Sequence, residues 1–187
     1  MRGLIDTLFE GNNLTNEELK TLIDCENNSI QEEYLFKQAD KKRRQIYGEE
    51  IYIRGLIEIS NYCKNNCLYC GIRCGNLNVE RYRLSEKNIL DCVSYGYSVG
   101  FRTFVMQGGE DLHFSDKDVC QIVSKIKKSY PDCAVTLSIG EKDKQTYQDF
   151  FNAGADRYLL RHETAIEEHY KLLHPSAMKI EKRKQCL

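Results

Sequence analysis

From residue 50 onward the chain alternates strand-like and helix-like segments, and this alternation restricts the fold more than any other feature. Strands are predicted over Glu50–Ser60, Phe101–Gln107, Cys133–Ile139 and Asp156–His162. Helices are predicted over Ser85–Val99, stopped by Gly100, over Ser115–Ser129, over Asp143–Ala153, closed by Gly154, and over Thr164–Leu173. Strands that alternate with helices at this spacing pair in parallel through right-handed crossovers. The expected class is therefore α/β, built from parallel (βα) units.

Side-chain parity sharpens the expectation. One face of the strands reads Ile51, Ile53, Ile57 and Ile59, then Phe104 and Met106, then Val135, Leu137 and Ile139, then Tyr158 and Leu160. Helices coating one side of a sheet bury such a face. The opposite face carries Arg54, Glu58, Ser60, Thr103, Gln107, Thr136, Ser138, Arg157, Arg161 and Glu163. Ordinary barrels fill their interior with branched apolar side chains, so this face predicts a cavity built for something polar. An open sheet with one solvated face is the plainer alternative. By the same parity His162 reads as a packed histidine.

Residues 1–48 form a helical leader, and 49–187 the (βα) part. Thr15 with Glu18 makes a capping box, Leu14 with Leu19 a hydrophobic staple, and Ser29 with Glu32 a second box before a helix ending at Gly48. These helices read as a lid over one end of the domain. Lys+Arg 27 against Asp+Glu 28 gives a formal charge of −1 and no reason to expect nucleic acid; the Lys41–Arg44 run reads as a solvated helix face. No apolar stretch approaches the ~18 residues of a membrane span. The charged N-terminus lacks a secretion signal, so a cytoplasmic, thiol-reducing setting is expected. There, nine unevenly spread cysteines point to metal chemistry rather than disulfides.

Chemistry in parallel sheets gathers at the carboxyl ends of strands. Here those ends carry Cys63, Cys67 and Cys70; Gln107-Gly108-Gly109-Glu110-Asp111; Ser138-Ile139-Gly140-Glu141; and Arg161-His162-Glu163-Thr164. Three thiolates can hold an iron–sulfur cluster while leaving one iron without a protein ligand, whereas electron-transfer clusters take four. The Gly-Gly-acid segment reads either as a close backbone approach with acceptors for an ammonium group or as a tight turn with solvated acids. Glu163 reads as a ribose contact or as a partner of Arg161.

Cys63-x3-Cys67-x2-Cys70 with Tyr69, the Gly-Gly-Glu turn, Arg81-Tyr82-Arg83 and the string Ala153–Thr164 resemble the radical S-adenosylmethionine (SAM) superfamily, in its biotin-synthase-like branch. Within it the strings are most similar to the HydE-type maturases of iron–iron hydrogenases, with biotin synthase and methylornithine synthase as nearby alternatives. The resemblance implies that Cys63, Cys67 and Cys70 ligate a 4Fe–4S cluster whose open iron binds SAM. It implies SAM contacts at Tyr69, Gln107, Gly108, Gly109, Glu110, Ser138, Glu163 and Arg183, and reductive cleavage of SAM to a 5′-deoxyadenosyl radical. An electron donor such as a ferredoxin or flavodoxin, and other hydrogenase maturation proteins, are the implied partners. Arg157 and Arg161 share the cavity face, and guanidinium groups there suit a small anionic substrate.

Four strands make half of the eight that close such a barrel. Truncation, pairing with another chain or a degenerate copy would each account for this, and truncation is the expectation. Cys74 makes a run of four thiols with the other three, which also fits a closed four-cysteine metal-binding module without radical chemistry. Cys25, Cys92, Cys120, Cys133 and Cys186 read as ordinary core or helix residues.

Overall fold

A computed structural model describes residues 1–24 and 30–187, in two compact units, Met1–Tyr52 and Ile53–Leu187. The first holds α1 (Arg2–Phe9), α2 (Asn16–Ile23) and α3 (Ile30–Tyr47). The expected box is present: Thr15 Oγ1 accepts the Glu18 N–H at 3.3 Å and Glu18 accepts the Thr15 N–H at 2.8 Å. Helix α1 has no such cap signal and is an addition to the expected pair. Ser29 and Cys25 lie outside the described residues. In the basic run, Arg43 and Arg44 pair with Asp40, and Lys41 and Lys42 lie over the Phe9 ring, so the cluster is engaged by its own unit.

The second unit is a parallel α/β sheet in the order β1-β2-β3-β4: β1 (Gly55–Ser60), β2 (Thr103–Gly108), β3 (Ala134–Ser138) and β4 (Arg157–Tyr158). Between them run α4 (Glu86–Ser98), α5 (Asp116–Ser129) and α6 (Lys144–Asn152), followed by α7 (Glu167–Leu173) and α8 (Ile180–Cys186). Side chains of Ser85, Ser115 and Asp143 cap α4, α5 and α6, each accepting a main-chain N–H of the first turn. The strand residues Ile57, Ile59, Phe104, Met106, Val135, Leu137 and Ile139 are buried with Ile89, Val93, Ile122, Val123, Ile126 and Phe150 from the helices. At ~1.5–3 kcal/mol for each large apolar side chain buried, this layer dominates the stability of the unit.

Three expectations are corrected. Strand β1 begins at Gly55, where pairing with Phe104 begins, and Ile51 and Ile53 are exposed. Strand β4 pairs through only two residues, so alternation ends at Tyr158, and His162, beyond the ladder, is exposed rather than packed. The face opposite the helices is mixed, not uniformly polar: Val105 and Thr136 are buried in its middle and Leu56 is exposed at its side. Ser60 also departs from parity. The register slips between Glu58 and Ser60, and this bulge leaves both Ile59 and Ser60 buried at the end of β1.

Candidate active site

The bulge sets the geometry of everything after it. The Ser60 hydroxyl donates to Asp111 at 2.6 Å and accepts the Tyr62 N–H at 3.1 Å. Asp111 also receives both arms of Arg83, at 2.7 and 2.9 Å, and the His113 N–H at 3.0 Å. Burial alone would raise the Asp111 carboxyl, but Arg83, Ser60 and the His113 N–H outweigh it and hold it down at about 2. Arg83 in turn lies over the Tyr62 ring at 3.8 Å. One buried carboxylate thus joins the ends of β1 and β2 at the root of the cysteine loop.

The loop itself has no helix or strand, and Arg81 substitutes for them. Its guanidinium donates to the carbonyls of Ile72, Arg73 and Asn76 at 2.8, 2.7 and 3.1 Å, and to that of Asn61. Three main-chain bonds fix the loop further. Lys64 N–H donates to Glu110 at 3.1 Å, Leu68 N–H to Leu173 at 2.8 Å, and Cys74 N–H to Asn65 at 2.9 Å.

Gly109 lies against this loop. A Cβ there would fall 2.1 Å from the Tyr62 carbonyl oxygen and 2.7 Å from Cys63 Cβ, so only glycine fits. Gly140, at φ +92°, leaves room in the same way for the Glu110 side chain.

A single cavity of about 230 Å³ is lined by Cys63, Cys67 and Cys70, by Tyr69, and by Gln107, Gly108, Gly109 and Glu110. Ser138, Arg161, Glu163 and Arg183 also line it. All eight residues expected to contact SAM therefore border the space the three thiols face. Glu163 sits at φ +64°, a left-handed backbone rare outside glycine and common at binding sites. Arg157, expected on the cavity face, and Cys74, the fourth thiol of the alternative closed metal site, are not gathered. Arg157 lines a different cavity, beside Tyr147, Phe150 and Leu160, because it stands at the start of β4, paired with Thr136, away from the carboxyl ends that form the mouth. Cys74 is exposed and does not line the thiol cavity. Cys133 is buried as expected, whereas Cys92 lies exposed on α4.

Three contacts have no counterpart in the sequence reading. Lys64 pairs with Glu110 at 3.0 Å, so the carboxylate expected to receive an ammonium group already holds one. Arg183 makes a close ion pair with Glu141 at 2.7 Å and donates to the Arg161 carbonyl at 3.1 Å. Tyr69 meets His174, a residue from the end of α7. Lys64 and Glu141 flank residues already singled out; His174 carries only the signal that it precedes Pro175.

Among the described residues no three His, Cys, Asp or Glu side chains converge to hold a single metal ion. A cubane cluster makes no such demand, since each of its thiolates binds a different iron. Burial, then the Cys63 sulfur and, less, Cys70 push the Cys67 thiol up, against a lowering hydrogen bond from Tyr69. Three thiols facing a common space, backed by a glycine that lets the neighbouring turn close in, fit a cluster of this kind.

No family model matches the chain. It is 42% identical to the [FeFe] hydrogenase maturase subunit HydE of Thermotoga maritima over 186 residues, all of this chain and 52% of that protein. It is 30% identical to 3-methylornithine synthase of Methanosarcina barkeri, over 91% of this chain and 49% of that one. The crystal structure of methylornithine synthase (PylB) superposes with a TM-score of 0.82 at 28% identity, covering 98% of this chain and 54% of PylB. These similarities support the radical SAM family that the motifs of the chain resemble. It spans about half the length of the curated relatives it matches. Like them it is an α/β chain of parallel strands, and no helix among its described residues is long and apolar enough to cross a membrane.

Proposed function

We propose that this radical SAM chain holds a 4Fe–4S cluster on Cys63, Cys67 and Cys70 and cleaves SAM reductively, as part of iron–iron hydrogenase maturation. The observation that carries the reading is the shared cavity, in which the three thiols face residues from the ends of all four strands and from α8. The similarity to the HydE subunit supports the maturation role over biotin or methylornithine synthesis. When bound there, a reduced cluster supplies one electron to the sulfonium of SAM, giving methionine and a 5′-deoxyadenosyl radical.

The protein's own residues then bind and orient. Glu110 and the Gly108–Gly109 main chain receive the amino group of SAM, Arg183 its carboxylate, Glu163 the ribose hydroxyls and Tyr69 the adenine. Gln107 and Ser138, half-buried at the ends of β2 and β3, offer neutral hydrogen-bonding groups on the cavity floor. Arg161 adds the cationic group that favours a small anionic substrate. Electrons come from a ferredoxin- or flavodoxin-type donor, other hydrogenase maturation proteins are its partners, and the setting is the cytoplasm.

Anaerobic reconstitution with iron and sulfide, followed by electron paramagnetic resonance with and without SAM, tests the reading. A reduced-cluster signal that changes on adding SAM is expected. A SAM-insensitive signal, or tight zinc with no cluster, refutes it.

A further inference from the structure

His174 is among the few polar residues whose side chain is nearly removed from solvent, at 3% exposure, and the function proposed above gives it no role. Pro175 explains its conformation. A residue before proline is driven out of the helical region, and His174 stands at φ −128°, ψ 152° directly after α7. Its ring turns back onto Tyr170, stacked at 3.8 Å and 17°.

Its two nitrogens face different partners. Nδ1 lies 3.0 Å from the Tyr170 carbonyl, which can only accept, so Nδ1 carries the hydrogen. In the neutral ring Nε2 then holds a lone pair, and the Tyr69 hydroxyl, 3.2 Å away, donates to it. Tyr69 is half-exposed, borders the thiol cavity and immediately precedes Cys70. The neighbouring Leu68–Leu173 main-chain bond of 2.8 Å, and the 3.9 Å approach of Cys67 Sγ to Met178 Sδ, hold the same two segments together.

We propose that His174 is a positioning residue for SAM. By fixing the tautomer that accepts from Tyr69, it locks the aromatic ring into the wall that meets the adenine. This rests on the function proposed above. A free tyrosine would sample several rotamers of its half-exposed ring, and SAM would have to select one; the His174 acceptor removes that selection before binding.

The test is a double-mutant cycle read by SAM affinity, titrating the reduced, reconstituted chain and following the SAM-induced change in its paramagnetic signal. His174→Phe keeps the stacking but removes the acceptor, and should weaken SAM binding about fivefold, the equivalent of one lost hydrogen bond. Tyr69→Phe removes the same bond from the other end and should weaken it similarly. The double variant should be no weaker than either single one, and His174→Gln, which retains an acceptor, should recover most of the affinity. Iron content and the cluster signal without SAM should not change in His174→Phe or His174→Gln.

Additive losses, or a His174→Phe affinity within twofold of the parent, overturn the positioning role. Should His174→Phe fail to fold, Tyr69→Phe and His174→Gln decide it: the first must weaken SAM binding and the second must not. If the parent chain shows no response to SAM, the proposed function fails first, and this inference with it.

Discussion

Gly109→Ala is the most informative single change to this chain. The added methyl would stand 2.1 Å from the Tyr62 carbonyl oxygen, about 1.3 Å inside the 3.4 Å at which ordinary contact begins, and 2.7 Å from Cys63 Cβ. Neither neighbour is the end of a flexible side chain. Tyr62 contributes main chain, and Cys63 Cβ carries the first thiol, so relief comes only by parting the Gly-Gly-Glu turn from the cysteine loop. The turn is held by Gly109 N–H to Ser60 at 3.3 Å and the loop by Lys64 N–H to Glu110 at 3.1 Å, and parting them strains both. Overpacking typically costs ~1–3 kcal/mol and each lost hydrogen bond ~1, so the change should destabilise the chain by about 2–4 kcal/mol.

For a chain of this size that corresponds to a fall in Tm of about 5–15 °C. Iron bound after anaerobic reconstitution should fall with it, because Cys63 is displaced from the cavity. Gly71→Ala is the control: it lies next to Cys70, yet its Cβ would meet nothing within 4 Å. If Gly109→Ala melts with the parent and binds the same iron, the close approach of turn and loop does not shape the site, and the argument from it is wrong.

Further outcomes follow from other contacts. Asp111 is held at about 2, below its usual 3.8, so its contribution is fully present above pH 3.8 and is lost as pH falls through 2; Arg83→Leu should lower stability at neutral pH, measured by urea unfolding, and lower it less below pH 2. Lys64→Gln frees Glu110 from a half-exposed ammonium and should tighten SAM binding by about two- to fivefold in a low-salt titration, with no change in iron content. Arg81→Lys cannot span the four carbonyls that the guanidinium reaches and should speed loss of iron to a chelator, whereas Arg73→Lys should not. Arg161→Leu should weaken the binding of an anionic substrate while SAM affinity holds; equal loss of both would remove Arg161 from the substrate side.

What could be read in the sequence was what local rules decide. The core face of β1 to β3 follows from alternation, and α4, α5 and α6 begin one residue after the predicted helix starts because Ser85, Ser115 and Asp143 serve as caps for the first-turn N–H groups. The thiols and their neighbours could be named because parallel strands bring their carboxyl ends to one side. What escaped depends on partners far along the chain. Ile51 and Ile53 have strand composition, but pairing begins only at Gly55. Face parity alone misplaces Arg157, which stands at the start of β4 opposite Thr136 rather than at the strand's carboxyl end. The bulge that buries Ser60 and the turn that brings His174 to Tyr69 leave no periodic trace. Each is visible only once β2 and α7 are in place.

That last point bears on how the site holds its shape. Ordering one residue costs ~1–2 kcal/mol of conformational entropy, and the stretch from Asn61 to Asn76 forms no helix or strand of its own to offset it. Beside bonds within the loop, such as Cys74 N–H to Asn65, it is held from elsewhere: by Arg81 on four carbonyls, Glu110 on Lys64, Leu173 on Leu68, and His174 on Tyr69. The thiols are therefore arranged by the sheet ends and by the segment after α7 as well as by the loop that carries them. A cluster bound at Cys63, Cys67 and Cys70 would add its own links to the same loop. Cluster binding and the docking of residues 173–183 should then support each other, which places Arg183, proposed above to meet the SAM carboxylate, under the influence of metal loading through the protein's own packing.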